Sequence, residues 1–443
     1  MVKMSRILMT SRSYKMTLLQ HQTEALNETK NLDHVAYYYD MGLGKTFIGS
    51  EKMKELGNHL NLLICQKSKI ADWVKHFEEN YPEMMIIDYT RSGNKTLTSM
   101  DMTLYSGHAT VVIIVNYELA WRRPELGKLS EFTLMLDESS MIQNYGAKQS
   151  KFIVRKLHAQ NVILLSGTPC GGKFENLWTQ LHLLGSDMKK TDFEREFVNF
   201  EMIYGKGAIP VRIVSRKNPY KNVDELKSYL RKNGAVFKKT EEVMTLPEQR
   251  FIKIESPVSS EYKRFKKDKV VSVDGKEFVG NTVFNYRLGL RMLASGYSDE
   301  KLDSFRTLVE STSDRLIVFY NFNQELDELK RIAGDCNRPV SVMNGSEKNL
   351  DAYENEENSI TLCQYQAGAM GLNLQKANKV VYFSLPERSE LFEQSKKRIH
   401  RIGQKNSCTY YIMLSKGTID YSILKALERR EDYTNELFEE EFK

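Results

Sequence analysis

Two series of short, almost wholly apolar runs, each run followed by a longer stretch with helical spacing, constrain this chain more than any other feature. In the first half the runs fall at 35–39, 62–65, 85–89, 111–116, 133–136 and 162–166; in the second they fall at 316–320, 341–344, 360–364, 380–384 and 408–414. Runs of this length without polar alternation predict strands covered on both faces, and their alternation with helices predicts parallel sheets. A length of 443 residues exceeds what one hydrophobic core usually supports, so two α/β lobes are expected. The stretch 174–297 breaks the rhythm with helical spacing and basic clusters such as VRIVSRKNPYK and YKRFKKDK, and VVSVDGKEFV alternates about Asp274-Gly275, a hairpin signal. The expected organisation is a first lobe over 1–240 with a helical insertion after about 174. A second lobe over 241–443 opens with a helical and hairpin element near 255–297, and a helical, basic insertion or linker region lies between the two sheets.

Composition removes several classes. A charged fraction of 28% with mixed signs argues against long disorder, and the net charge of +6 suits contact with a polyanion. Cys65, Cys170, Cys336, Cys363 and Cys408 form no Cys-x-x-Cys pair and none lies near a His at zinc spacing. Neither a zinc site, a disulfide framework nor a disulfide-linked partner is expected, and scattered cysteines point to a reducing compartment. The basic start MVKMSRILMTSRSYKM lacks the apolar stretch of a signal peptide, and no run approaches the ~18 apolar residues of a membrane span. The expectation is a cytoplasmic chain with no membrane partner.

The densest chemistry lies in AYYYDMGLGKTFIGSEKM. A strand leads into a turn containing Gly42 and Gly44, and Thr46 opens a helical pattern. Glycine lets the backbone approach phosphate oxygens, and a helix N-terminus favours negative charge. Lys45 then reaches the β- and γ-phosphates, and the Thr46 hydroxyl holds Mg²⁺. The full phosphate-loop pattern is not met, because Tyr39 occupies the first glycine position. A nucleotide loop needs an acid at the end of another strand, and FTLMLDESS supplies Asp137 for the metal and Glu138 to orient or deprotonate water. Arg398 and Arg401, three apart in KKRIHR, share one face and can reach across a cleft to transition-state charge, a contribution of ~10³–10⁵ in rate in NTPases.

With these elements in place, the sequence resembles the Swi/Snf family of superfamily 2 helicases and translocases over about 17–424. DMGLGKT is similar to the family's own phosphate loop, and TLLQHQTEAL resembles its adenine-side element, with Gln22 as the base-recognising residue. LLICQKSKIADW and VVIIVNYEL resemble the next motifs. SGTP, with Ser166, Gly167 and Thr168, resembles the segment that couples hydrolysis to lobe movement. In the second half RLIVFYNFNQELDEL, MNGSE and LCQYQAGAMGLNLQKANKVVYFSLP are similar to successive family motifs, the last with Gly368, Gly371, Asn373 and Leu374 at matching places. EQSKKRIHRIGQ carries Gln394, Arg398, Arg401 and Gln404 at the family spacing. Two departures stand out: Ser140 replaces the usual His, and Gln364, Tyr365 and Gln366 stand where hydroxyl and basic residues are usual.

The resemblance implies two RecA-like lobes with ATP and Mg²⁺ in the cleft between them. Gln22, Asp40, Gly42, Gly44, Lys45, Thr46, Gly371 and Gln394 would bind nucleotide, Thr46 and Asp137 the metal, and Lys45, Asp137, Glu138, Arg398 and Arg401 would serve catalysis. Ser166, Gly167, Thr168 and Gln404 would couple the lobes. Position after strands makes Lys67, Ser68, Asn116 and Tyr117, with Asn344, Gly345, Gln364 and Gln366, candidates for nucleic-acid contact. The implied activity is ATP-dependent translocation or helicase action on DNA, duplex rather than single-stranded. SGTP with HRIGQ, in place of SAT and HRIGR, points away from RNA unwinding. The alternatives are a motor subunit of a restriction, defence or replication complex, with replication, recombination or defence proteins as partners, and an ATP-gated DNA clamp. The compact, accessory-free form suggests a bacterial or phage protein.

Overall fold

The apolar runs fold as parallel strands. The computed structural model describes residues 18–90, 110–171, 173–203, 210–215, 217–243, 245–365 and 372–429. The first half contributes β1 (His34–Tyr39), β2 (Leu60–Cys65), β3 (Met84–Asp88), β4 (Thr110–Asn116), β5 (Phe132–Asp137) and β6 (Asn161–Ser166). Its sheet runs β3-β4-β2-β5-β6-β1 and gains one more strand at the edge beside β1, β9 (Ala235–Lys238). All its pairings are parallel, with Tyr37 opposite Leu165 and Leu63 opposite Met135.

Alternation within each strand divides the core. Val35, Tyr37 and Tyr39 point to one face with Leu63 and Ile163, while Ala36 and Tyr38 point to the other with Leu62 and Leu164. Each fully buried side chain of this size is worth about 1.5–3 kcal/mol, so the pattern leaves the register little freedom. Helices α1 (Gln20–Glu28), α2 (Lys45–Leu56) and α3 (Ile70–Asn80) belong to this lobe, and the first of the two core layers draws on all three.

The second sheet runs β10 (Gln249–Ser256), β18 (Cys408–Ser415), β17 (Lys379–Tyr382), β13 (Leu316–Tyr320), β16 (Ile360–Gln364), β14 (Val340–Met343) and β15 (Lys348–Asn349). Only the two-residue β15 is antiparallel. The region 174–297 is therefore more than an insertion: it supplies an edge strand to each sheet, β9 to the first and β10 to the second. Gly234 makes the entry to β9 possible, since at φ 85° a Cβ there would stand 2.4 Å from the His34 carbonyl oxygen. Short hairpins complete the region: β7 (Phe200–Ile203) with β8 (Val211–Val214), and β11 (Val270–Val273) with β12 (Lys276–Val279) about Asp274-Gly275, both at positive φ. Among the described residues no helix is long and apolar enough to cross a membrane.

Candidate active site

In the first sheet β5, β6 and β1 are neighbours and parallel, so their carboxyl ends deliver three segments to one edge. These are the acidic turn after Leu136, the SGTP segment beginning at Ser166 and the glycine turn after Tyr39. In the glycine turn Leu43 is fully buried and anchors the loop, while Gly42 and Gly44 adopt φ 90° and 75°. Gln22 lies against the turn, its amide nitrogen 3.3 Å from the carbonyl oxygens of both Leu43 and Gly44. The positive φ favours glycine at position 44, and a Cβ there would fall 2.1 Å from that nitrogen and push the Gln22 amide off the turn. Lys45 begins α2, and its ammonium donates to the Tyr39 carbonyl at 2.9 Å. Burial pushes its pKa down, against the opposing pull of the Glu138 and Asp137 carboxylates. Gly167 packs beside it: a Cβ on Gly167 would meet the Lys45 ammonium at 3.4 Å.

Asp137 ends β5, and the Trp73 indole N–H donates to its Oδ2 at 2.8 Å. Burial and the adjacent Glu138 raise the Asp137 carboxyl to about 6, against the Trp73 hydrogen bond and the Lys45 charge. Glu138 is held at φ 54°, ψ 61°, a left-handed conformation that a non-glycine residue adopts at a cost. Gln180, fully buried, knits the three segments together: its Oε1 accepts from Tyr38 at 3.0 Å and Ser139 at 2.7 Å, and its Nε2 donates to the Pro169 carbonyl at 2.6 Å. Within SGTP, the Ser166 hydroxyl accepts from the Thr168 N–H at 3.2 Å.

The second lobe faces this edge with the segment that follows the helix Ser389–Lys396. A cavity of about 160 Å³ is lined by Lys45, Thr46, Asp137 and Glu138 from the first lobe and by Gln394 and Arg398 from the second. Arg398 is 1% exposed; burial and the charge of Arg401 push it down to about 10, partly offset by Glu138. Arg401 packs over Gly42, where a Cβ would meet its side chain at 3.7 Å, and it donates to the Leu372 carbonyl at 3.4 Å. Asp40 joins both lobes: Lys397 donates to its Oδ1 at 2.6 Å, and the Thr240 N–H and hydroxyl donate to its Oδ2 at 3.1 and 3.3 Å. Burial alone would raise the Asp40 carboxyl, but the charge and hydrogen bond of Lys397, with the two hydrogen bonds of Thr240, hold it below the usual range.

The remaining expected residues fall in varied surroundings. Tyr117 is fully buried and its hydroxyl donates to the Asp137 carbonyl at 2.9 Å, so in this structure it steadies the acidic turn and presents no surface for nucleic-acid contact. Asn116 is 7% exposed and its amide is spent on Glu118 at 2.7 Å. Asn344, 9% exposed, folds its own turn by accepting from the N–H groups of Ser346 and Glu347. Gln404 makes its bonds inside the second lobe, donating to the carbonyls of Gln375, Ala377 and Ile399, so it clasps that segment without crossing the cleft. Lys67 and Gly345 are exposed and Ser68 is half-buried, while the Gln364 amide donates to the Asn321 carbonyl at 3.3 Å. Gly368, Gly371 and Gln366 lie outside the described residues. Sequence reasoning passed over Trp73, Gln180, Lys397 and Thr240. Trp73 left a signal as one of three tryptophans and the last residue of LLICQKSKIADW, and Lys397 lay within KKRIHR; Gln180 and Thr240 left none.

Two parallel-sheet lobes with a phosphate-type loop, a strand-end acid pair and an arginine from the opposite lobe define a class, and the comparisons agree with it. Residues 37–293, more than half of the chain, match the SNF2-related domain, and residues 300–403 match the helicase conserved C-terminal domain. The chain belongs to the SNF2-related family. Among similar proteins is the putative ATP-dependent helicase/translocase YwqA of Bacillus subtilis (strain 168), 24% identical over 480 residues, covering 97% of this chain and 50% of that protein. Chromodomain-helicase-DNA-binding protein 1 of Gallus gallus is 23% identical, with 88% of this chain and 25% of that protein covered. The chain thus spans half or less of the curated relatives it matches. A solved structure titled Sulfolobus solfataricus SWI2/SNF2 ATPase core in complex with dsDNA is 20% identical, with 96% of this chain and 93% of that chain covered, at a TM-score of 0.44.

Proposed function

We propose that the chain is an ATP-dependent DNA translocase, which hydrolyses ATP to ADP and phosphate between its lobes and uses the cycle to move along duplex DNA. One observation carries this reading: the cavity takes Lys45, Thr46, Asp137 and Glu138 from one lobe and Gln394 and Arg398 from the other, so its chemistry is complete only while the lobes are together. The residues fit a nucleotide, because Gly42 and Gly44 keep side chains away from a turn that opens a helix. They fit Mg²⁺ as well, since one hydroxyl and one carboxylate are hard oxygen donors and this ion keeps most of its shell as phosphate and water. Thr46 and Asp137 would hold it, and its charge would neutralise the β- and γ-phosphate oxygens.

The chain's own residues account for the remaining steps. Lys45 binds phosphate oxygens once its ammonium leaves the Tyr39 carbonyl. Glu138, aimed by its left-handed backbone, orients water and takes its proton. Arg398 stabilises the charge that develops on the transferred phosphoryl group. Gly167 lies against Lys45, so a change at the phosphates is felt in SGTP at once. Opening and closing of the cleft would then alternate the grip of Lys67, Ser68, Gly345 and Gln364 on backbone phosphates, contacts that carry no base information.

Steady-state ATP hydrolysis without nucleic acid and with single-stranded DNA, duplex DNA or RNA, at low and moderate salt, tests the reading. Duplex DNA should stimulate most, and less as salt rises. Equal turnover in all four conditions would overturn it.

A further inference from the structure

We infer that Trp73 is a positioning residue for the metal-binding carboxylate, dedicating Asp137 Oδ2 to its indole N–H so that the carboxylate keeps one orientation in the cavity. The inference rests on the reading of Thr46 and Asp137 as the Mg²⁺ site. Trp73 is 3% exposed, lines the cavity, and places Nε1 2.8 Å from Oδ2. The terminal torsion of an aspartate is broad and roughly two-fold, so an unpinned carboxylate would turn. An indole N–H is a donor only and an ionised carboxylate an acceptor only, so this pair cannot exchange roles as a hydroxyl could.

The indole is itself fixed. It stacks on Phe77 at 5.7 Å and meets His76 edge-on at 5.6 Å. His76 in turn meets Phe47 at 4.8 Å and lies 3.0 Å from the Ser50 hydroxyl. The Ser50 hydroxyl donates to the Thr46 carbonyl at 2.9 Å, so His76 is tied through Ser50 to the first turn of α2. Helix α3 therefore touches both elements that carry the proposed metal oxygens: α2 through His76, and the end of β5 through Trp73. It sets Thr46 and Asp137 relative to each other, and Trp73 is the contact on the Asp137 side.

The test is Mg²⁺-dependent binding of a fluorescent ADP analogue, followed by anisotropy as Mg²⁺ is added to chelator-treated protein, with no turnover required. Loss of an outer-shell partner typically costs about 10–100-fold in metal affinity. Trp73→Phe should raise half-saturating Mg²⁺ by about tenfold or more, a larger change than in metal-free binding of the analogue. Trp73→His, which keeps a ring N–H, should recover part of the loss. If Trp73→Phe fails to fold, benzothienylalanine at position 73 removes the N–H at constant ring size, sulfur taking its place, and the same shift is expected. An unchanged Mg²⁺ half-saturation in a folded variant overturns the inference, as does an equal loss of binding with and without Mg²⁺, which a mere packing role would give. Absence of any Mg²⁺ dependence in the unaltered protein would overturn the site reading itself, and is distinguished by appearing before any substitution.

Discussion

Removing the Lys397 ammonium should slow ATP turnover about 5- to 30-fold without altering either lobe. The pair it forms with Asp40 spans the cleft at 2.6 Å, and the two side chains are 26% and 24% exposed. A shielded hydrogen bond to a charged group contributes ~1.5–3 kcal/mol and a solvated surface pair ~0.2–1 kcal/mol, so a pair one-quarter exposed falls near ~1–2 kcal/mol. In Lys397→Ala the Asp40 carboxylate keeps both bonds from Thr240, so it is not left buried and bare. The cost then lies in lobe approach, which brings Arg398, the next residue, to the cavity. The assay is turnover at saturating ATP and DNA for Lys397→Ala, Asp40→Asn and the double variant, at low and high salt. The double-mutant cycle should give a coupling of ~1 kcal/mol that shrinks as ionic strength rises. Exchanging the charges should not restore activity, because a lysine at position 40 would set an ammonium against the Thr240 N–H. Strict additivity of the single substitutions, or full activity in the charge exchange, would refute the reasoning.

Lys45→Ala should abolish turnover while circular dichroism and the melting temperature hold, since the ammonium's partners are loop carbonyls and the proposed phosphates; turnover at the native rate would remove Lys45 from the mechanism. Arg398→Ala should lower kcat by ~10³ or more with little change in the ATP KM, the pattern of a contact made in the transition state; a raised KM at constant kcat would make it a ground-state binding group. Tyr117→Phe should cost about 1 kcal/mol in denaturant unfolding through its lost bond to the Asp137 carbonyl, and leave the salt dependence of DNA binding unchanged. A weaker, flatter salt dependence would put Tyr117 back on the DNA surface. Gly44→Ala should lose nucleotide binding by direct titration, because its Cβ would displace Gln22; normal affinity would show that the loop yields.

Strands buried on both faces were legible, because burial removes polar alternation and leaves runs such as Leu316–Tyr320. The edge strands β9 and β10 were not. β9 has four residues, and β10 is exposed along most of its length, so its sequence resembles that of a solvated segment. The glycine turn and the acid pair were readable as strand-end chemistry, and the structure brings Lys45, Thr46, Asp137, Glu138, Gln394 and Arg398 around one cavity. What escaped are partners distant in sequence. Trp73 and Asp137 are 64 positions apart, Tyr38 and Gln180 142, and Asp40 and Lys397 357. The burial of Tyr117 was illegible for a different reason: following a strand fixes which edge a residue occupies, not how deep its side chain lies.

The open edge of β10 bears on how this protein can be cut into pieces. Phe251 and Ile252 are 49% and 43% exposed there, and Phe251 stacks on Tyr410 of β18 at 4.8 Å. Arg250, Lys253 and Glu255 lie along the strand and pair with Glu248, Glu428 and Lys416, a charged border that discourages edge-to-edge pairing between molecules. The strand behind it has no such border: CTYYIMLS is apolar and mostly buried. A second-lobe fragment begun after Ser256 would trade a guarded edge for a bare one and should collect in inclusion bodies, whereas one begun at Pro247 would carry its own guard.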